Sequence, residues 1–480
     1  MDPLLAYRRH LTRRQFFGKS AGGIGAAVLA QLLHEDGLAA SPELPGPSHF
    51  TPKAKRVIVL WQGGGPSQID LFDHKPGLEK LRLQELPESV RSRSRLSTMT
   101  SGQKGFPILP ALRPFQPHGQ SGTWLSELIP HIGSIVDEFC LVRSMHTDAV
   151  NHAPGVTFFL TGHQIPGRPS LGSWVTYGLG SLTSDLPAFV VMTSSDREKS
   201  CGQLFFDHYW GSGFVPTKYQ GVQFRSEGDP VLYLSNPAGM PRNLRRKLLD
   251  DIAELNHRHL DDFGDPEIDT RITQYEMAYQ MQASVPGLTD ISDEPASVLA
   301  LYGPDVHRNG SYARNCLIAR RLIERGTRFV QLMHAGWDQH NNLPTQLETQ
   351  CRDTDQPSAA LVKDLRQRGL LEDTIVLWAS EFGRTVFVQG DVKQPRHGRD
   401  HFGQGYSIWA AGGGFKPGHV HGETDEFSYG IARDPVSIHD FQATLLHLLG
   451  IDHEKLTYRY QGRNFRLTDV HGKLVQEMLA

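Results

Sequence analysis

Six short runs of apolar residues limit what this chain can become. Arg56-Val-Ile-Val-Leu-Trp61 is unbroken by polar residues, so it reads as a parallel strand buried on both faces. Phe139–Arg143, Ala188–Met192, Arg328–Met333, Thr374–Ala379 and Tyr406–Ala410 read as further strands. Helical segments fall between them. Ser311–Arg325 offers Leu317, Leu322 and Ile323 to a core and stops at Gly326; Ser358–Arg368 and Val436–Leu449 are helical as well. Strands alternating with helices predict an α/β fold with a mostly parallel central sheet and helices on both faces.

The length prior for 480 residues is about three domains, but no flexible linker divides the chain. One large domain over 55–480 is expected, with a helical insertion at about 216–304. The helices of that insertion are Asn243–Phe263, where Leu248, Ile252 and Leu255 fall at helical spacing, and Arg271–Ala283. The polar, Pro-containing stretch 85–120 reads as a surface excursion. A hydrophobic fraction of 39% supports a large core, and a formal charge of -3 gives no electrostatic case for nucleic acid. Cys140, Cys201, Cys316 and Cys351 form no C-x-x-C pair, so neither a disulfide framework nor a Cys-rich zinc site is indicated.

The N-terminus has the layout of a twin-arginine export signal. Thr12-Arg13-Arg14-Gln15-Phe16-Phe17-Gly18-Lys19 precedes an apolar stretch, Ala21–Leu33, too short to span a bilayer comfortably. Residues 1–40 are read as the signal segment and 41–54, rich in Pro and Ser, as a linker. A basic helix of the mature protein is the competing reading. Export would place the protein in the periplasm or cell envelope, with no transmembrane span beyond the signal.

Polar residues collect where the strands end, which is where open α/β sheets bind ligands. After Arg328–Met333 come His334, Asp338 and His340. Asp338 and His340 share a side in an extended segment, so both can reach one ion, with His334 as a third ligand or a supporting partner. After Thr374–Ala379 come Ser380, Glu381 and Arg384, which read either as a ligand with an anion-binding arginine or as an ordinary helix N-terminus. The loop His397–Phe402 carries Arg399 and His401, and Arg399 suits a sulfate or phosphate group. After the first strand, Asp70 is a candidate ligand and Asp73 a turn former; the preceding glycines lack nucleotide-binding spacing. After Phe139–Arg143, His152 precedes a Pro-Gly break that could display it in a cleft. Each cluster also reads as an ordinary structural loop.

Six segments carry a resemblance: GGGPSQIDLFDHKP (63–76), NHAPGVTFFLTGH (151–163), HAGWDQHNN (334–342), SEFGRT (380–385), GRDHF (398–402) and AAGGGFKPG (410–418). With the twin-arginine start they resemble the bacterial family called domain of unknown function 1501. That family is in turn similar to the alkaline phosphatase and sulfatase superfamily. The resemblance implies a metal-binding sheet edge, with Asp70 at the first strand's ligand position and His152 at the nucleophile position. Asp338 with His340 resembles the central metal pair, Ser380–Gly383 the Ser-Asp-His-Gly segment, and His401 the final histidine. The chain departs from that pattern in three places. His152 replaces Ser, Thr or Cys, Glu381 replaces Asp, and Phe382 stands where a metal-binding His is expected. One divalent ion (zinc, calcium or manganese) held by some of Asp338, His340, Glu381 and His401 is therefore expected rather than two.

Two functions follow. The first expectation is a metal-dependent hydrolase of sulfate or phosphate esters, with His152, Arg384 and Arg399 as catalytic residues and an anionic small molecule or glycan as ligand. The alternative expectation is a non-catalytic binding or scaffold protein on the same fold.

Overall fold

The computed structural model describes residues 48–194, 205–226, 229–231, 234–237, 239–392 and 396–480. The twin-arginine segment and most of the expected linker lie outside these residues. By internal contacts the chain divides into two units, one containing residues 236–276 and the other 47–235 with 277–480. In the first, helix α3 (Arg242–Phe263) carries Arg246, whose guanidinium donates to Glu276.

The second unit is built on a nine-stranded sheet. Its strands are β1 (Arg56–Gly63), β4 (Phe139–His146), β5 (Phe189–Ser194), β6 (Val222–Phe224), β7 (Phe329–Ala335), β8 (Thr374–Ala379), β11 (Tyr406–Ala411), β12 (His419–His421) and β13 (Val436–Ser437). A hairpin, β2 (Phe115–His118) with β3 (Thr123–Ser126), and a two-residue ladder, β9 (Gly383–Arg384) with β10 (His401–Phe402), lie outside it. The order is β12-β4-β11-β8-β1-β7-β5-β6, with β13 beside β4. Only β11 runs against its neighbours, so the expected mostly parallel sheet is what forms.

The unbroken apolar runs explain this architecture. Ile58 and Leu60 pack into one core cluster, whereas Val57, Val59 and Trp61 pack into the other. A strand with two dry faces needs helices above and below it. On one face lie α4 (Tyr312–Glu324) and α5 (Leu343–Gln367), through Leu317, Leu322, Leu347 and Leu361. On the other lie α1 (His152–Thr161), α2 (Leu171–Leu179) and α6 (Ile438–Leu448), through Phe159, Trp174 and Leu445.

Three local expectations change. The helix expected at Ser358–Arg368 begins at Leu343, because Leu343, Leu347 and Cys351 continue its buried stripe upstream of Pro357. No helix follows Ser380; the chain runs into the β9–β10 ladder instead. The excursion 85–120 carries a small core of its own, in which Leu86, Val90, Phe106 and Ile108 pack with Val386, Phe387 and Phe402. No helix among the described residues is long and apolar enough to cross a membrane.

Candidate metal centre

The parallel strands direct their carboxyl ends to one edge, and four side chains converge there. Asp338 and His340 follow β7, His401 lies in β10, and His152 heads α1. One ligand atom from each lies within 4.8 Å of all the others. Oδ1 of Asp338 is 2.9 Å from Nε2 of His340, 3.1 Å from Nε2 of His152 and 3.3 Å from Nε2 of His401. The Nε2 atoms of His340 and His401 are 2.9 Å apart.

Two glycines make the convergence possible. Gly64, at φ +115°, lets the Trp337–Asp338 backbone lie against the end of β1, where a Cβ would meet the Asp338 nitrogen. Gly398 does the same for His340, since a Cβ there would meet that residue's carbonyl.

The other imidazole nitrogens are fastened. Nδ1 of His152 donates to Oε1 of Glu381 at 2.6 Å, Nδ1 of His340 to Oε1 of Gln389 at 2.6 Å, and Nδ1 of His401 to the carbonyl of Val150 at 2.9 Å. An oxygen acceptor at Nδ1 places the proton there and leaves an Nε2 lone pair in the neutral ring. Three such lone pairs and a carboxylate oxygen then face one point. That arrangement is repulsive unless a cation or shared protons occupy it. Nε2 of His152 stands at ion-pair distance from Asp338, yet it is buried and meets no hydrogen-bond geometry.

The donor set fits a metal ion. Four ligands at ~2.0–2.1 Å in a tetrahedron stand ~3.3 Å from one another, close to the separations seen here. Three imidazoles and one carboxylate suit zinc-like ions better than calcium, which takes oxygen ligands. Without an ion, burial opposes the charge on His152, but Asp338 and Glu381 outweigh it and lift its pKa to about 9. Burial likewise opposes ionisation of Asp338; the three imidazoles and Arg384 hold it well below the carboxylate range. Burial pushes His401 down to about 4, against the pull of Asp338. Phe382 closes one side, its ring 4.6 Å from that of His401 and 5.0 Å from that of His152.

Five expected site residues are placed differently. Glu381 is fully buried and accepts from His152 and from the Gly64 amide at 2.9 Å, with Ser380 Oγ 2.8 Å from its other oxygen, so it supports a ligand rather than joining the four. Asp70 is absent from the cluster because it forms a buried ion pair with Arg399 at 2.8 Å and caps the Leu112 amide. Arg399 spends its remaining donors on the carbonyls of Leu109, Pro110, Thr385 and Val386, which leaves nothing for an external anion. Arg384 is also buried; it donates to the carbonyls of Gly64, Gly65, Trp337 and Arg399 and, at 2.8 Å, to Asp338. It is therefore a fixed internal cation beside the cluster rather than an anion clamp. His334 lies in the core between Ser194 Oγ at 2.7 Å and Gln350 Oε1 at 2.8 Å, one end of its strand too early to reach the site. Sequence reasoning missed Gln389, Gly64, Gly398 and Gln68. Gln68 holds both the amide and the carbonyl of Arg384. Only the glycine run after β1 gave any signal of them.

No curated protein matches the chain. Among solved structures, the PsFucS1 sulfatase from Pseudoalteromonas sp. is 12% identical, with 89% of this chain and 71% of that one covered at a TM-score of 0.34. A protein in the alkaline phosphatase superfamily from Vibrio parahaemolyticus is 12% identical, covering 85% and 69% at 0.32. Alkaline phosphatase from the Antarctic bacterium TAB5 is 11% identical, covering 83% and 98% at 0.32. Overlaps this loose say nothing about the chemistry of this chain. The family described as "Protein of unknown function (DUF1501)" matches residues 54–479, and the chain belongs to it.

Proposed function

We propose that the chain is an exported metal-dependent hydrolase of sulfate or phosphate esters, acting in the periplasm or cell envelope. The observation that carries this reading is the convergence of three imidazole Nε2 atoms on one carboxylate oxygen, each ring fastened at Nδ1. Asp338, His340 and His401 would hold the ion, with His152 as the fourth donor. A divalent ion there would supply Lewis-acid polarisation of the ester.

The protein's own groups divide the remaining work. The three imidazoles, and then Arg384, keep Asp338 ionised, and the Arg384 contact aims it at the cluster. Glu381 fixes the ring of His152 and stabilises a positive charge on it, the role a buried carboxylate plays behind a catalytic histidine. The side chain of His152 is 18% exposed, against 12% for Asp338 and His340 and 6% for His401. It is thus the donor a substrate meets first. An Nε2 bound to the ion has no lone pair for a proton, so His152 would act as acid or base only when it is released from the ion.

A panel of aryl sulfates and phosphates, assayed with the purified protein and added zinc, manganese or calcium, tests this. Turnover abolished by His152→Ala is expected. Binding of metal without turnover on any substrate would favour a non-catalytic binding protein. The buried, fully engaged guanidinium groups of Arg384 and Arg399 favour that second reading, because neither offers a donor to a substrate anion.

A further inference from the structure

The loop that fastens His401 also walls a second cavity. His146 ends β4 and Ser437 ends β13, and the two residues pair in parallel at the sheet edge that carries the metal cluster. Residues 146–148, 437–440 and 470–473, with Phe158 of α1 and Glu454, line a cavity of about 500 Å³ there. That volume lies within the range of small-molecule sites, roughly 300–1,000 Å³. Val150, whose carbonyl holds His401, lies just beyond Asp148 in the same loop. Phe158 lies one and a half turns along α1 from His152, about 9 Å at a rise of ~1.5 Å per residue.

The polar groups of the lining are of two kinds. Asp440 and Glu454 are occupied. Asp440 accepts from the Ser437 amide at 3.2 Å, the Ser437 hydroxyl at 2.7 Å and the Lys473 amide at 2.6 Å, and the positive end of α6 offsets its charge. Glu454 pairs with Arg466 at 3.0 Å. The side chains of Asp148 and Lys473, in contrast, have no ion-pair or hydrogen-bond partner among the described residues, and neither do the ring nitrogens of His146 and His471. One free carboxylate thus stands against one free ammonium, which leaves no surplus charge to draw in an anion or a cation. A carboxylate that accepts, an ammonium that donates and two imidazoles that do either are the complement of hydroxyl groups, which do both.

The cavity also offers a flat ring. His439 is buried, its Nε2 donates to the Gly162 carbonyl at 2.9 Å, and burial lowers its pKa, so the ring is neutral. His471 lies nearly parallel to it, at 5.0 Å and 23°, and is itself exposed. Phe158 meets His439 edge-on at 5.0 Å, and Val470 is 70% exposed on the rim. A pyranose has a C–H face that packs on a ring and hydroxyls around its edge that reach polar groups beside it. This lining provides both.

We propose that this cavity binds an uncharged sugar unit, its C–H face against His471 and its hydroxyl groups bonded to Asp148, Lys473 and His146. The site stands whether or not the metal cluster hydrolyses anything.

Calorimetry and saturation-transfer NMR on the full chain test it. The probes are glucose, galactose and mannose, with sodium acetate, choline and glycine as charged controls and adenosine as a flat uncharged one. Saturable binding of at least one sugar is expected, with every control at least tenfold weaker. Asp148→Ala/Lys473→Ala should weaken that binding at least tenfold, and His471→Ala at least fivefold. Melting temperature and metal content should stay those of the parent, because these side chains hold no part of the fold. Metal-stripped protein should bind the sugar as tightly as the parent. No saturable binding of any of the three sugars overturns the proposal, as does any control that binds as tightly as the best sugar. Unchanged affinity in either variant overturns it, and sugar binding that disappears with the metal does so too, by assigning the sugar to the metal centre.

Discussion

Glu381→Gln separates support of the metal centre from support of the fold. Glu381 accepts from the Gly64 amide and from Nδ1 of His152 through the same oxygen, and Ser380 Oγ approaches the other at 2.8 Å. A glutamine can keep its amide oxygen toward Gly64 and His152. Its NH2 then faces Ser380 Oγ, which already has the Gln62 carbonyl as an acceptor at 2.6 Å. Every polar group keeps a partner, so folding stability should change by less than about 1 kcal/mol. What disappears is the negative charge behind His152. Removing such an outer partner of a ligating histidine typically weakens metal binding about 10–100-fold, equivalent to roughly 1.4–2.8 kcal/mol. Glu381→Ala, in contrast, strands two buried donors at about 1–3 kcal/mol each and should destabilise the protein outright. Chelator competition measures the affinity, and denaturant unfolding of metal-stripped protein measures the fold. Unchanged metal affinity in Glu381→Gln would refute the reasoning, as would a loss matched by an equal loss of apo-protein stability.

Three other outcomes are expected. Arg399→Met leaves Asp70 buried and unpaired and should cost about 3–5 kcal/mol, seen as a lower denaturant midpoint. Gly64→Ala places a methyl against the Asp338 nitrogen at a φ that side chains rarely adopt, so both stability and metal content should fall, checked by melting and elemental analysis. Burial lifts Asp355 from 3.8 to about 7, against the amides of Ile132 and His131 that hydrogen-bond it. The folded state therefore keeps a proton that the unfolded chain releases, so stability falls as pH rises from about 4 to about 7, by up to about 4 kcal/mol. Unfolding measured at pH 5 and pH 8 should show this slope in the parent and lose it in Asp355→Asn.

The sheet was legible because its strands are short apolar runs, and these become buried strands, as at Arg56–Gly63 and Thr374–Ala379; nothing in the run Tyr406–Ala411 showed that it alone would lie antiparallel. Helix α5 was half hidden, since Pro344, Pro357 and a polar upstream half mask the Leu343, Leu347, Cys351 stripe. At the site, the spacing of Asp338 and His340 showed that they belong together, and the structure brings both to the cluster. Charged residues after strands do not announce whether they face a cleft or a carbonyl. Arg384, Arg399 and Asp70 have the right chemistry for a site, but they satisfy buried backbone and neighbouring side chains, a fact set by contacts 42 to 329 residues apart in the chain. Gln389 and the Val150 carbonyl could not be foreseen for the same reason.

The claim that a metal ion sits among His152, Asp338, His340 and His401 is tested most directly by elemental analysis of the purified protein. It should hold one equivalent of a zinc-like transition ion per chain, lost in a folded His340→Ala/His401→Ala variant. Protein that holds no stoichiometric metal after equilibration with zinc, manganese or calcium, or that keeps its full equivalent in that variant, would contradict the account.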